Sequence, residues 1–181
     1  MRRRSLLRWV LGALLPAARR AHGQPPLSES AVKAAFLFKF ASFVEWPAGV
    51  FQRPDQPLAM GVAGDEAVAA DLEQIAAGRH VDSHPVVVRR VPENGPVTGV
   101  HVLYVGTQRE QRLRENLAAV AGPVLLVTDQ PDALKLGSVL NFSHEDGRIR
   151  FAASLTAAQA RRLKLSSRLL AVAQNVEGRA P

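Results

Sequence analysis

Among the residues able to do chemistry, the histidines come first. His80 and His84 are four apart, a spacing that aligns two zinc ligands on a helix, but the residues between them read as a turn entering a strand. His101 falls in a strand-like apolar run and His144 beside a turn, with nothing in the pattern to bring the four together. Glu145-Asp146-Gly147 offers carboxylates to a cation, yet a tight turn asks for the same residues. A nucleophilic serine in Gly-x-Ser-x-Gly is absent, there is no cysteine, and Ser166-Ser167 reads as a helix cap. Gly61-Val62-Ala63-Gly64-Asp65 has the look of a strand-to-helix turn, where backbone N–H groups bind phosphate. It lacks the third glycine of a dinucleotide fingerprint and the Lys-Ser/Thr of a P-loop, and Asp65 puts negative charge where the phosphate would sit. Arg161, Lys164 and Arg168 stand at i, i+3 and i+7, a basic stripe if one helix carries all three. Such a stripe is either solvated surface or a contact for an acidic partner. No catalytic residue, cofactor site or metal site is assigned.

The elements that would position these residues follow from periodicity. Ser28 or Ser30 caps a helix expected to run from Ala31 to the stop at Trp46-Pro47. Four of the seven phenylalanines, Phe36, Phe38, Phe40 and Phe43, crowd into eight positions, and Val32, Phe36, Phe40 and Phe43 share one helical face. Leu37, Phe38 and Val44 widen that face until Lys33, Lys39, Ser42 and Glu45 are the polar surface left, as in a helix sandwiched in a core or covered by another protein.

Residues 57–63 read as a buried strand. Asp65 caps a helix to about Ala77, ended by Gly78. Val86-Val87-Val88, residues 100–105 and residues 124–127 are further strands, with a charged amphipathic helix over residues 109–120 and Gly122 as its terminator. A turn or short helix around Asp132–Lys135 leads to an antiparallel hairpin over about residues 138–153, turning at Asp146-Gly147. Thr156-x-x-Gln159 has capping-box spacing, and Ser166 or Ser167 caps a last helix carrying Leu169, Leu170 and Val172. Buried strands alternating with helices predict an α/β sandwich with a largely parallel sheet, one antiparallel hairpin and flanking helices.

Composition narrows the partner. The chain of 181 residues is 47% hydrophobic and carries a formal net charge of +7. Six of its 23 basic residues lie within the first 20 positions, and beyond residue 23 the balance falls to 17 basic against 16 acidic. The basicity belongs to the leader, so it supports no nucleic-acid partner. That leader has an arginine cluster, an apolar run from Trp9 to Ala18 and the small-residue ending Ala21-His22-Gly23. It reads as a cleavable export signal, 1–23, with Arg3-Arg4 also resembling the twin-arginine pattern. Residues 24–30 then form a linker, 31–176 the single domain and 177–181 a tail. No later apolar stretch is long enough to span a bilayer, so no membrane insertion is expected after maturation.

Taken together, several motifs carry a resemblance. They are Val32-Lys33-Ala34-Ala35-Phe36-Leu37-Phe38 with Phe40 and Phe43-Val44-Glu45-Trp46-Pro47, then Pro57-Leu58, Gly61 and Gly64-Asp65, then residues 100–105. Residues 124–129, Asn141-Phe142, residues 145–151 and Leu163-Lys164-Leu165-Ser166-Ser167-Arg168-Leu169-Leu170 complete the series. In this order, over about residues 31–176, the chain resembles the YfiR family of exported regulators, which includes HmsC-like proteins. The resemblance implies a periplasmic, non-catalytic α/β protein. It would bind the periplasmic sensor region of an inner-membrane diguanylate cyclase and inhibit it, lowering cyclic-di-GMP and biofilm formation. Regulation of this kind needs only differential affinity for an inactive state of the partner.

Two departures stand out. Some relatives carry cysteine pairs that this chain lacks, which removes a disulfide switch. Many relatives also continue the Arg-Phe strand with an acidic-apolar-Asn run where this chain has Ala152-Ala153-Ser154, and Arg161-Arg162 stand near the place usually taken by a small residue and glycine. The partner surface is expected around Leu165, Arg168, Leu169 and Val172, where each leucine could equally pack the helix onto the sheet. The Phe-rich first helix also suits a homodimer. The competing expectation, from another class, is a periplasmic small-ligand sensor or carrier using the Gly61–Asp65 turn and serving a histidine kinase or other receptor.

Overall fold

The computed structural model describes residues 27–92, 97–106 and 109–178. The expected leader, 1–23, lies outside them. The first helix, α1, spans Glu29–Ala41, capped by the Ser28 hydroxyl, which accepts the Ala31 N–H at 3.1 Å. It ends five residues before Trp46. Ser42 N–H turns back to Lys39 O and Phe43 N–H to Phe40 O, and Val44–Glu45 becomes a short strand, β1. Apolar residues at 43–44 prolonged the helical pattern in the sequence, but their backbone pairs with a distant segment instead.

The main sheet begins with β2 (Leu58–Ala63), wholly buried, followed by α2 (Glu66–Ala76). A short β3 (His80–Val81) turns back against β4 (His84–Arg90). Then come β5 (Val102–Val105), α3 (Glu110–Ala119) and β6 (Leu125–Thr128). A 3₁₀ turn at Ala133–Leu136 leads into β7 (Leu140–Glu145) and β8 (Arg148–Ser154). Asp146 and Gly147 make the hairpin turn with φ of 50° and 69°, the positive pair that a two-residue turn of matching twist requires. The chain ends in α4 (Leu155–Ala160), β9 (Lys164–Leu165), α5 (Ser167–Val172) and β10 (Asn175–Glu177).

The eight-stranded sheet has the order β10-β8-β7-β6-β5-β2-β4-β3. Neighbours from β4 through β7 are parallel, and β7–β8 is the antiparallel hairpin, so the architecture is the expected α/β one. A separate two-stranded ribbon joins β1 to β9 antiparallel, Val44 opposite Leu165. From the β2/β5 pair the crossovers run in opposite directions, and right-handed connections therefore place α2 and α3 on opposite faces.

α1 lies against α2 on one of those faces. Leu37, Phe40 and Ala41 are buried there, with Phe36 and Phe40 packed on Phe142 and Phe151 of the hairpin at centroid distances of 4.9–6.0 Å. Each such aromatic pair adds about 0.5–1.5 kcal/mol to the area it buries. Only Ala35, Lys39 and Ser42 form an exposed stripe between Ala31 and Ser42, so α1 is a core helix of this chain. Lys33, expected on the polar surface, is instead buried at 4% exposure.

Candidate functional site

Ligands of open α/β sheets collect beyond the carboxyl ends of the strands, at the point where strand order reverses. Here that point lies between β2 and β5, and it is filled. Asp65 uses its own carboxylate to accept the Val68 N–H at 3.0 Å, capping α2 where an anion would otherwise bind. Gly106 N–H donates to Ala63 O at 2.9 Å, and a Cβ on Gly106 would stand 2.9 Å from Gly64 O. The two loops touch, leaving the Gly61–Asp65 turn as a capped turn.

Beside it, α1 lays Lys33 over the end of β6. Its ammonium donates to Asp129 and to Glu29, and Tyr104 of β5 donates its hydroxyl to the same Asp129 oxygen at 3.1 Å. Outward, His144 Nε2 lies 3.0 Å from the Glu29 carboxylate, so the network reaches the hairpin. Burial, reinforced by the Asp129 charge, holds the Tyr104 phenol protonated far above its ordinary value, which keeps it a donor. The ammonium of Lys33 is pulled down by burial but raised more by its hydrogen bonds to Asp129 and Glu29, so it stays charged. These side chains bind one another, and the arrangement is structural: it pins the start of α1 to the end of the sheet. A lysine inside an apolar run gave no sign of this, because burial of its charge depends on a carboxylate 96 residues away.

The histidines do not converge. His84 Nδ1 hydrogen-bonds Gln56 O at 2.8 Å, and Phe51 is stacked between the rings of His84 and His101, with centroids at 3.9 and 4.6 Å. Among the described residues no group of three or more His, Asp or Glu side chains is placed to hold a metal ion. Glu145 accepts from the Gln174 amide at 2.9 Å and forms part of the hairpin.

The C-terminal segment breaks the expected basic stripe. Ser154, not Thr156, caps α4, its hydroxyl accepting the Ala157 N–H at 3.2 Å. The helix then closes in a Schellman motif, with Leu163 N–H to Ala158 O at 2.9 Å and Arg162 N–H to Gln159 O at 2.8 Å. Arg161 turns inward, its guanidinium donating to Leu117 O at 3.2 Å and Val120 O at 3.0 Å, the orphan carbonyls that end α3. Lys164 belongs to β9, 3.9 Å from Glu45 in an exposed pair worth little. Ser166 caps α5 as expected, accepting the Leu169 N–H at 3.2 Å.

On this scaffold the four residues expected at the partner surface divide. Leu169 is 2% exposed and packs into the core, and Leu165 is half-buried in the β1–β9 ribbon. Arg168 is exposed, and Val172 at 67% is one of two large apolar side chains left open among the described residues.

The geometry therefore defines a class first: a doubly wound α/β domain whose usual ligand crevice is closed by its own loops and salt bridges, with an exposed cation and an apolar side chain on a short C-terminal helix. The family model described as YfiR/HmsC-like matches residues 30–174, and the chain belongs to that family. At family level these are periplasmic, non-catalytic regulators that act with membrane proteins in diguanylate cyclase signalling. No curated protein matches the chain.

Proposed function

We propose that this protein is exported to the periplasm by its N-terminal leader, binds the periplasmic sensor region of an inner-membrane diguanylate cyclase and holds that enzyme inactive. Cyclic-di-GMP and biofilm formation fall while the complex persists. The observation that carries the reading is the family match, which runs from the second residue of α1 to the residue before β10 and so takes in almost the whole folded chain. Within it, α5 is the element we assign to the contact. Leu169 and Leu165 anchor it, while Arg168 and Val172 present a cation beside an apolar side chain, suited to an acidic-apolar stripe on the partner.

The test is capture from detergent-solubilised inner membranes on the immobilised protein. A cyclase with a periplasmic sensor region should be retained, and Arg168→Glu with Val172→Asp should release it while leaving the thermal transition unchanged. Deleting the gene should raise cyclic-di-GMP. If no such membrane protein is retained and the deletion leaves cyclic-di-GMP unaltered, the reading fails.

A further inference from the structure

The end of the sheet opposite the closed crevice is open. A cavity of about 810 Å³ lies around the amino ends of β2, β5 and β6, a volume within the range of small-molecule sites. Pro47, Val50, Val97, Val100, Pro123 and Val124 supply apolar walls, and none of its described lining residues is acidic. Two cationic side chains, Arg89 and Arg162, also line it, with His101, Gln56 and Thr98 as further donors.

His101 is a fixed donor. The residue is 8% exposed, and its Nδ1 accepts the Ala59 N–H at 3.0 Å, so the ring carries its proton on Nε2. Burial also lowers its pKa, which keeps the ring in that neutral tautomer. The Nε2–H has no acceptor in the described chain. It is not sealed, because the one buried side-chain polar atom without a partner among the described residues is Trp46 Nε1. It therefore opens onto the cavity that the ring lines.

Arg162 is held at a cost. It occupies the left-handed C′ position of the α4 Schellman motif with φ of 57°, a place where glycine is unstrained and a side chain costs about 1 kcal/mol. Among the described residues the guanidinium makes no hydrogen bond or ion pair, unlike that of Arg161, which donates to the α3 carbonyls. Arg89 makes one long bond to Gly99 O, 3.3 Å. An arginine in a strained backbone position and a histidine N–H without an acceptor among the described residues line the same cavity, an arrangement that suits an anion, and the walls ask for a ligand with an apolar body.

We propose that this cavity binds a small organic carboxylate, its carboxylate held by Arg162, Arg89 and the His101 Nε2–H, its apolar body against the proline and valine walls. Arg162 lies two residues before β9, so occupancy of the site borders the ribbon from which α5 springs.

Benzoate serves as probe, with neutral benzamide and inorganic phosphate as controls, on the ¹⁵N-labelled protein. Benzoate should shift the His101 Nε2 resonance saturably, and each control should bind at least about tenfold more weakly, since one lacks the charge and the other the apolar body. Arg162→Gly should raise the melting temperature of the free protein yet weaken benzoate about tenfold or more, a combination that no loss of folding produces. Arg89→Ala should also weaken benzoate with the spectrum otherwise intact. Absence of a saturable His101 shift, equal binding of either control, or undiminished affinity in Arg162→Gly would overturn the proposal. The protein alone is measured, so this result stands or falls separately from capture of the cyclase.

Discussion

Replacing Lys33 with methionine asks how much of the docking of α1 rests on the ion network rather than on the phenylalanine cluster. Methionine keeps the apolar stem and removes the charge, leaving Asp129 facing the position the ammonium held. Breaking a buried ion pair from one side costs about 3–5 kcal/mol, because the remaining charge stays in a low dielectric. The Asp129 side chain is 14% exposed and keeps the Tyr104 hydroxyl, which places the loss near the lower end, about 3 kcal/mol. The arm to Glu29 adds little, since that carboxylate is 53% exposed. The double variant Lys33→Met with Asp129→Asn removes both charges and leaves an acceptor for Tyr104, so it should recover to within about 1 kcal/mol of the parent.

Urea unfolding with unchanged m reads both variants. The pH dependence has a definite sign. Lys33 is raised in the fold, so its contribution is full below the ordinary lysine value and is lost as pH climbs through the raised one. Glu29 is held below the ordinary carboxylate range, chiefly by its hydrogen bond from Lys33, so its share is full above the unfolded value and lost as pH falls. Between about pH 5 and pH 9 the cost of Lys33→Met should therefore stay constant. A loss under about 1 kcal/mol, or a double variant as unstable as the sum of the singles, would refute the claim that this pair anchors α1.

Other substitutions separate residues that look alike in sequence. Arg161→Ala should destabilise by about 1.5–3 kcal/mol through the uncovered carbonyls of α3, whereas Lys164→Ala should stay within about 0.5 kcal/mol; denaturant midpoints compare them. Gly106→Ala should cost about 1–3 kcal/mol, because its Cβ would meet backbone that cannot yield, and calorimetry reads it as a lowered transition. Ser154→Ala should lose about 1 kcal/mol and Thr156→Ala much less, since the Ala157 N–H is capped from Ser154; urea midpoints of the two distinguish the caps.

What the sequence disclosed tracks how local each cause is. The strands β2, β5 and β6 are short apolar runs buried on both faces, and such runs are legible because no other setting suits them. Caps at Ser28, Asp65 and Ser166, and the turn at Asp146-Gly147, depend on residues within three positions; the pattern placed Asp65 and the turn, and narrowed the other caps to Ser28 or Ser30 and to Ser166 or Ser167. β1, β3 and β10 are two or three residues long and exist through their partners, so nothing within them marks a strand. The same applies to chemistry. Lys33 and Arg161 resemble surface cations until Asp129 and the end of α3 are brought to them. The unusual feature of Arg162 was visible as an arginine near the place of a glycine, but its meaning needed the sign of φ and the cavity beside it.

In the C-terminal third, the side chains proposed for the partner contact sit on a backbone held by other elements. Arg161 ties α4 to α3, β9 pairs with β1, and β10 extends the main sheet beside β8, with the Gln174 N–H donating to Phe151 O at 2.8 Å. Three tethers fix the backbone on both sides of α5, a helix of six residues too short to persist alone. With the backbone position set by other elements, Arg168 and Val172 contribute nothing visible to that fixation, and their replacement should leave the transition unmoved. A surface whose geometry is maintained from outside itself can change its side chains at little cost in stability. That is the property a partner-reading helix requires, and it makes loss of capture at full stability the outcome to expect from Arg168→Glu and Val172→Asp.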